Sequence, residues 1–156
     1  MLFNKSLDDK LYKMICNHYD KKGISYQRAD DQRLTLMVNR DRKIPVNLFV
    51  GVETEPLALR ICGRLPFKVP EENREMMVMA LQAINQRLAV GRFQMEVSDG
   101  TVDYRVSLPL VGIQYDEEWL ENVLDDALST ITHRDEKILS LLQGEITFEE
   151  FDKYVR

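Results

Sequence analysis

Residues 64–110 read RLPFKVPEENREMMVMALQAINQRLAVGRFQMEVSDGTVDYRVSLPL. Pro66 and Pro70 stand near the start, and each proline keeps the residue before it out of the helical conformation. An apolar segment follows the second proline. Two runs of alternating apolar and polar residues then flank Asp99-Gly100, a dipeptide that favours two-residue hairpin turns. The stretch therefore predicts a strand end, a turn, a long helix and a β-hairpin, in that order.

The helix predicted between Pro70 and Gly91 has an unusually broad apolar face. Pro70 suits the first turn of a helix, and Gly91 suits a left-handed cap after the last turn. At 100° per residue the apolar side chains fill an arc of roughly 200°, whereas a helix covered on one side needs only about 100°. We therefore expect two covers, the sheet on one side and either another helix or a second subunit on the other. The apolar residues of the arc are Met76, Met77, Met79, Ala80, Leu81, Ala83, Ile84, Leu88 and Val90.

The same helix supplies the predicted contacts of a homodimer. Four residues of the arc are the candidates for this interface, namely Met76, Met77, Met79 and Ile84. Methionine side chains line adaptable binding surfaces, but they also fill irregular cores. The methionine cluster is therefore compatible with a subunit interface and with a packed interior.

The sequence before the central stretch predicts one helix followed by a sheet. The helix is expected to begin at Leu7, with Ser6 as its cap, and to end at Gly23. Each strand candidate has one apolar and one polar face, which is the pattern of an antiparallel sheet with one face on the core and the other in water. The strand candidates are 24–28, 34–38, 46–52 and 57–64, and the charged segment 39–43 is a loop between two of them.

The sequence after the hairpin predicts helices. Asp116 can cap a third helix, which either runs on or breaks softly at the polar residues 133–135. A final short helix is expected from Phe148, because Thr147 and Glu150 have the spacing of a capping box.

Together these elements predict an α+β fold. The expected order is α-β-β-β(-β)-α-β-β-α, with the helices packed on one face of an antiparallel β-sheet. We expect a single domain over 1–156, in which 144–156 form a C-terminal helical extension.

Composition limits the class of protein. The chain has 156 residues, of which 44% are apolar and 30% charged, and its net charge is -5. The acidic balance argues against nucleic-acid binding, which needs a basic surface. The longest apolar run, 76–81, is far shorter than the ~20 residues of a membrane span, and the N-terminal residues lack the apolar region of a signal peptide. We expect a cytoplasmic protein with no membrane partner.

The motifs of catalysis and metal binding are missing or incomplete. The sequence has no Gly-rich phosphate loop, no G-x-S-x-G and no H-E-x-x-H. Residues 139–150 have the late glycine and glutamate of a calcium-binding loop, but leucines stand where oxygen ligands are needed. His18 lies on an apolar helix face and is expected to be packed and hydrogen-bonded. We predict no catalytic residue, no metal site and no cofactor.

Cys62 is the one residue on which the hypothesis of an enzyme would rest. It alternates with Arg60 and Arg64 on the polar face of its strand, and nearby guanidinium groups lower the pKa of a thiol. The alternative is a small, half-buried thiol without special reactivity, because no Cys/His/Asn set accompanies it.

The polar face of the sheet carries the candidate binding residues. If the strand registers hold, five arginines project from it, namely Arg33, Arg60, Arg64, Arg92 and Arg105, together with Phe49 and Met37. Such a surface can bind an acidic or extended peptide, or RNA. The alternative is a solvated face on which the arginines pair across strands with Glu96 and Asp103.

These residues as a set resemble the YbjN-like family of bacterial proteins, described as sensory transduction regulators. The resemblance runs over about 7–143 and rests on the segments LPFKVP at 65–70, GRF at 91–93 and YRVSLPL at 104–110. It implies a fold like that of the type III secretion chaperones, a homodimer, and binding of another protein without catalysis. The segment 144–156 is not part of the resemblance, and we expect it to cover a surface that relatives leave open.

Several functions remain as hypotheses. The first is a non-enzymatic, chaperone-like adaptor or regulator that forms a homodimer and binds an unidentified protein client. Its candidate binding surfaces are the polar sheet face with Phe49, Arg60, Arg64, Arg92 and Arg105, a free edge of the sheet, or the apolar back of the central helix. The alternative is a ligand-sensing domain that holds a small molecule in an apolar pocket between sheet and helices. An enzyme that uses Cys62 and an RNA-binding protein complete the set.

Overall fold

A computed structural model describes residues 2–38 and 42–156, with side chains from residue 9 onward over the same ranges. The predicted loop at 39–43 lies partly outside the described residues. The helices are α1 (Leu2–Lys21), α2 (Arg74–Asn85), α3 (Glu117–Thr132), α4 (Asp135–Leu142) and α5 (Phe148–Val155), and a short 3-10 turn (Glu71–Asn73) precedes α2. The strands are β1 (Tyr26–Arg28), β2 (Arg33–Val38), β3 (Val46–Thr54), β4 (Leu57–Lys68), β5 (Arg92–Met95) and β6 (Thr101–Pro109).

The strands form one antiparallel sheet in the order β1-β2-β3-β4-β6-β5. Helix α1 packs on β3, α3 on β4 and α2 on β5. The strand side chains that face these helices are buried and apolar, and the side chains between them face outward. The predicted α+β fold, with helices on one face of an antiparallel sheet, is therefore confirmed.

The helix-facing side of the sheet forms the core. Leu48, Tyr104 and Phe93 belong to one inward row, and none of their side chains is more than 2% exposed. Gly63 completes that row without a side chain because α3 approaches closely there. A Cβ atom at this position would lie 2.2 Å from Cδ1 of Ile131, so the glycine allows the helix to contact the sheet.

The central helix α2 is shorter than predicted. It ends at Asn85, not beside Gly91, because the Asn85 side chain turns to the edge strand β5. Its Nδ2 donates to the carbonyl oxygen of Phe93 at 2.8 Å, and its Oδ1 accepts from the Phe93 N–H at 2.8 Å. The broad apolar arc nevertheless correctly predicted that two elements cover this helix, because α2 packs against β5 of the sheet and also against α5.

The hairpin between β5 and β6 has a longer connection than predicted. Strand β5 ends at Met95 and β6 begins at Thr101, so five residues, 96–100, connect the strands in place of a two-residue Asp-Gly turn. The expectation of a tight turn was wrong because other elements hold this loop. The Val69 N–H donates to the Gly100 carbonyl at 2.8 Å, and Lys68 Nζ lies 2.7 Å from Asp99 Oδ2.

Two other boundaries differ from the sequence prediction. Strand β4 continues through Pro66 to Lys68, where a turn was expected, and its pairing with β6 is irregular between Arg64 and Lys68. A bulge of this kind accommodates a proline that cannot donate to the ladder. Helix α1 begins at Leu2 and not at Leu7, so Ser6 lies inside the helix.

The predictions for the C-terminal helices are confirmed. The Asp116 carboxylate accepts from the Trp119 N–H at 2.8 Å at the start of α3. The chain breaks between α3 and α4 at the polar residues named above. Thr147 and Glu150 form a capping box that begins α5. Within the described ranges, no helix is both long and apolar enough to cross a membrane.

Candidate functional site

The outward side chains of the sheet form rows that cross the strands. The first row consists of Gln27, Thr35, Phe49, Cys62, Arg105 and Arg92. The second consists of Met37, Asn47, Arg64, Asp103 and Gln94. The third consists of Arg33, Gly51, Arg60 and Ser107. We call this surface the outer face, and it brings all five predicted arginines onto one side of the sheet.

Part of the outer face is a depression of about 1300 Å³. Four of the five predicted binding residues line it, namely Phe49, Arg60, Arg92 and Arg105, and Arg33 and Cys62 line it as well. Arg64 lies in the neighbouring row and does not line the depression. The structure therefore places most of the predicted binding residues around one concave surface.

Asp103 is the centre of an ion-pair cluster on this face. Arg64 Nε lies 2.9 Å from Asp103 Oδ1, and Arg105 Nη2 lies 3.0 Å from Asp103 Oδ2. The two arginines cover the carboxylate. Asp103 is therefore only 4% exposed, although its side chain points outward from the sheet. Burial acts to raise the pKa of Asp103, but the hydrogen bonds and charges of the two arginines outweigh it and hold the pKa below its usual value.

Arg60 and Arg33 are also paired. Arg60 Nη2 lies 2.7 Å from Glu53 Oε2, and its other terminal nitrogen donates to the Ser107 hydroxyl. Arg33 Nε donates to Asp30 at 2.7 Å, and the bond from this arginine holds the pKa of Asp30 below its usual value.

Arg92 differs from the other arginines of the outer face. Among the described residues, no carboxylate lies within ion-pair distance of its guanidinium, and its one hydrogen bond is a 3.5 Å contact from Nε to Gln94 Oε1. It stands directly opposite Arg105 on the neighbouring strand. Like charges in directly opposite positions destabilise a sheet.

Cys62 lies between Phe49 and Arg105 in the first row. Burial raises the pKa of its thiol, and the Asp103 carboxylate adds to this rise, against the opposing charges of Arg105 and Arg64. The predicted effect of the arginines is therefore present but smaller than the effect of burial. A thiol with a raised pKa has a small thiolate fraction at neutral pH, which opposes a nucleophilic role.

Exposed apolar side chains border the arginines. Phe49 is 43% exposed in the first row, and Met37 is 56% exposed at the outer end of the second. The outer face thus combines cationic groups with apolar contact area. This combination suits a segment that has both acidic and apolar side chains.

The four predicted dimer contacts do not share one environment. Met77 and Ile84 are 0% exposed within the protomer, and Met76 is half-buried. Met79 is 53% exposed and lies next to Val78, which is 48% exposed. Val78 and Met79 are the most exposed apolar side chains of α2, and the dimer itself stays a prediction.

The two histidines lie away from the outer face. His18 is buried, and its Nε2 lies 3.3 Å from Asp125 Oδ1, as expected of a packed, hydrogen-bonded histidine. Burial lowers its pKa, against the charge of Asp125. His133 is exposed at the break between α3 and α4. Within the described part of the chain, no group of three or more His, Cys, Asp and Glu side chains is arranged to hold a metal ion.

A family comparison agrees with this fold. The family model YbjN, described as "Putative bacterial sensory transduction regulator", matches residues 12–139. The chain belongs to the YbjN family. The match lies inside the segment 7–143 on which the resemblance rested, and it ends before α5. Comparison with curated proteins gives no match.

Two solved structures have a similar fold. One is the crystal structure of YbjN from E. coli, "a putative transcription regulator", with 15% identity and a TM-score of 0.58 over 85% of this chain and 92% of that chain. The other is an uncharacterized protein from Methanothermobacter thermautotrophicus, with 11% identity and a TM-score of 0.55 over 86% of this chain and 98% of that chain. At these identities the similarity concerns the fold alone.

Some residues of the outer face were not found from the sequence. Glu53 and Asp30 pair with Arg60 and Arg33, whereas the expected partner Glu96 binds Ser98 in the hairpin loop. The signal that would have found Glu53 is the tight turn between β3 and β4, which brings it beside Arg60. Among the described residues Arg92 has no carboxylate partner and stands opposite Arg105, a placement that depends on the hairpin register and not on alternation alone.

Proposed function

We propose that this member of the YbjN family is a non-enzymatic, chaperone-like adaptor or regulator in the cytoplasm, whose outer sheet face binds an acidic segment of another protein. The observation that carries the proposal is the depression of about 1300 Å³, which is lined by Arg60, Arg92 and Arg105 together with the exposed ring of Phe49. The family description as a regulator is consistent with this role.

Two features favour the outer face over the free edges of the sheet, which are β5 and β1. The side chain of Asn85 binds both backbone groups of Phe93, so these groups are occupied and cannot pair with an added strand. The opposite edge, β1, has only three residues. A segment lying across the face avoids both limits.

The packing gives less support to a small-molecule pocket between the sheet and the helices. Side chains of both layers fill that space, among them Met77, Tyr104 and Ile131, each 0% exposed. The wide depression lies on the opposite side of the sheet, open to solvent. A ligand between the layers would have to displace packed core side chains.

The experiment that tests the proposal is a selection of displayed random 12-residue peptides on the immobilised full chain. Peptides that bind are then measured with Phe49→Ser and with Met79→Ser by fluorescence anisotropy. The two side chains are similarly exposed, at 43% and 53%, but Met79 lies on α2 at the other side of the protein. We expect acidic peptides whose affinity falls with Phe49→Ser only. Peptides that lose affinity only with Met79→Ser, or no binding peptides at all, would contradict the proposal.

We also propose a homodimer, in which the α2 surface around Val78 and Met79 contacts the second copy. Both side chains are about half exposed, and the surface lies away from the outer face. A dimer formed there would leave both copies of the outer face accessible. Light scattering on the purified chain tests the dimer directly, and a monomer at all concentrations would exclude it.

A further inference from the structure

The pair Arg92 and Arg105 places like charges directly opposite each other in the sheet, and of the two only Arg105 has a carboxylate partner among the described residues. The two residues are directly opposite on β5 and β6, and both side chains project from the outer face. Asp103, the carboxylate that pairs with Arg105, is also paired with Arg64. A pair of like charges is tolerated in a sheet where a bound anion neutralises the repulsion between them. The pair therefore indicates a place for a negatively charged group.

A charge count indicates how much negative charge the site accepts. The arginines of the outer face are Arg33, Arg60, Arg64, Arg92 and Arg105, and the carboxylates in or beside the depression are Asp30, Glu53, Glu55 and Asp103. Among the described residues, five cations against four anions leave a net charge of +1. Arg64 and Arg105 share the single charge of Asp103, and Arg92 is the arginine of this face that has no carboxylate partner. A carboxylate with a single charge matches this surplus, whereas a phosphate or a nucleic-acid backbone carries more charge.

The row geometry gives the spacing of the ligand. Neighbouring strands lie about 4.8 Å apart, so the gap between Arg105 and Arg92 lies roughly 12 Å from Phe49 along the first row. In an extended chain, residues i and i+4 point to the same side and lie about 13 Å apart. Cys62 lies between, in the same row, and contributes a small, half-buried surface.

We propose that Arg92 and Arg105 together bind the carboxylate of an Asp or Glu in the docked segment, four residues from an apolar side chain that contacts Phe49. The inference rests on the proposed function and names its recognition element. Guanidinium groups bind carboxylates through paired hydrogen bonds, so the two arginines can hold both oxygens of the group.

The test uses the peptides selected on the full chain. We expect Asp or Glu four positions from an apolar residue among them. With such a peptide, Arg92→Gln lowers the affinity roughly fivefold, as removal of a half-exposed charge-assisted pair does. Changing the acidic residue of the peptide to its amide lowers the affinity equally, and the two changes together cost no more than either alone. Arg156→Gln is the control, because Arg156 pairs with Asp152 at the end of α5 and does not line the depression.

A second readout concerns the free protein. Arg92→Gln removes the repulsion with Arg105, so its urea midpoint is expected to equal or exceed that of the unchanged chain. Lower affinity without lower stability distinguishes a binding residue from one that maintains the fold. A clear loss of stability in Arg92→Gln would overturn the assignment.

The remaining outcomes separate the inference from the proposed function. Peptides that bind through Phe49 but ignore Arg92→Gln would overturn the carboxylate site and leave the adaptor function intact. A phosphoserine peptide or a labelled oligonucleotide that binds more tightly than the acidic peptide, and loses affinity with Arg92→Gln, would overturn the choice of a carboxylate. Failure to select any peptide would contradict the adaptor function itself.

Discussion

Arg64 and Asp103 form a two-bond ion pair between β4 and β6, with Nε–Oδ1 at 2.9 Å and Nη2–Oδ2 at 3.3 Å. The pair is unequal, because the Asp103 side chain is 6% exposed and the Arg64 side chain 50% exposed. The outer face therefore contains a buried anion beneath two solvated cations, and its stability depends on the charge of that anion.

Asp103→Asn keeps the shape of the side chain and removes this charge. Hydrogen bonds to charged groups contribute about 1.5–3 kcal/mol, so we expect a loss near the lower end of that range at pH 7, because both arginines become free to meet water. The pKa of Asp103 is below its usual value, so its contribution is present above the unfolded pKa of about 3.9 and is lost as the pH falls through the folded pKa.

Urea unfolding of both proteins at pH 7, 4 and 2.5 measures this dependence. The difference in the free energy of unfolding between the two proteins should shrink toward pH 2.5. The same difference at every pH would show that the Asp103 charge does not stabilise the outer face. Asp30→Asn should show a dependence of the same sign but smaller, because Arg33 also lowers the pKa of Asp30 while the carboxylate is more exposed.

Arg42 and Asp135 form a more deeply buried pair that joins the segment before β3 to the start of α4. Asp135 is 0% exposed, and burial raises its pKa against the opposing hydrogen bond and charge of Arg42. Arg42→Met removes the cation and keeps most of the apolar stem. Loss of one partner of a buried pair costs about 3–5 kcal/mol, and we expect a loss of that order at neutral pH.

The sign of the pH dependence follows from the raised pKa of Asp135. In Arg42→Met the destabilisation should be smallest below the unfolded pKa of the carboxyl and should grow as the pH rises through the folded pKa. Urea unfolding at pH 5 and pH 8 tests this. The double variant Arg42→Met with Asp135→Asn should recover most of the pH-dependent part, and a loss independent of pH would exclude the buried charge as its cause.

Helix α2 offers a matched pair of substitutions for separating the core from the dimer surface. Ile84 is 0% exposed, so Ile84→Asp places an unpaired charge in the core and should unfold the chain. Met79 is 53% exposed, so Met79→Asp should remain folded but become monomeric. Circular dichroism and light scattering measure the two properties. A folded Ile84→Asp variant would show that the position of α2 is wrong, and a Met79→Asp dimer would exclude the Val78–Met79 surface as the interface.

Cys62 provides the measurement that bears on the enzyme hypothesis. Because burial raises the pKa of its thiol, alkylation by iodoacetamide at pH 7 should be slower than that of free cysteine and should accelerate as the pH rises toward the raised pKa. The Cys62→Ser variant measures the contribution of Cys16, which is buried. Fast alkylation of Cys62 at pH 7 would revive the enzyme hypothesis.

The hairpin shows where sequence patterns stop being informative. Phe93 pairs with Tyr104, whereas a two-residue Asp-Gly turn would pair it with Val106. The two registers differ by two residues, and a shift of two leaves every side chain on the same face. Alternation therefore predicted the correct faces but not the pairing. The choice depends on contacts from Val69 and Lys68, which are remote from the loop in sequence.

The same limit applies to the candidate site. Alternation was enough to place the arginines on the outer face, because that inference needs only the parity of each strand. Their electrostatic state depends on the pairing, since Arg92 stands opposite Arg105 only in the observed register. The end of α2 at Asn85 was likewise not predictable from the sequence pattern, because it depends on hydrogen bonds between the Asn85 side-chain amide and the edge strand β5.

Phe151 tests how firmly the C-terminal segment is joined to the rest of the protein. Helix α5 follows the residues that match the family model, and it packs on α2 and α4 with Phe151 fully buried. Removing a buried phenylalanine side chain costs about 3–5 kcal/mol when the whole domain depends on it. A short terminal helix can instead detach by itself, and then the loss is limited to the free energy of that local opening.

We therefore expect Phe151→Ala to speed hydrogen exchange at the amides of α5 and of the α2 surface beneath it, while the amides of β4 and β6 keep their protection. Tyr154→Phe is the control, because it removes only the 2.6 Å bond from a half-exposed hydroxyl to the His133 carbonyl and should cost about 1 kcal/mol or less. Faster exchange throughout the central strands of Phe151→Ala would mean that α5 is part of the cooperative core and not an addition to it.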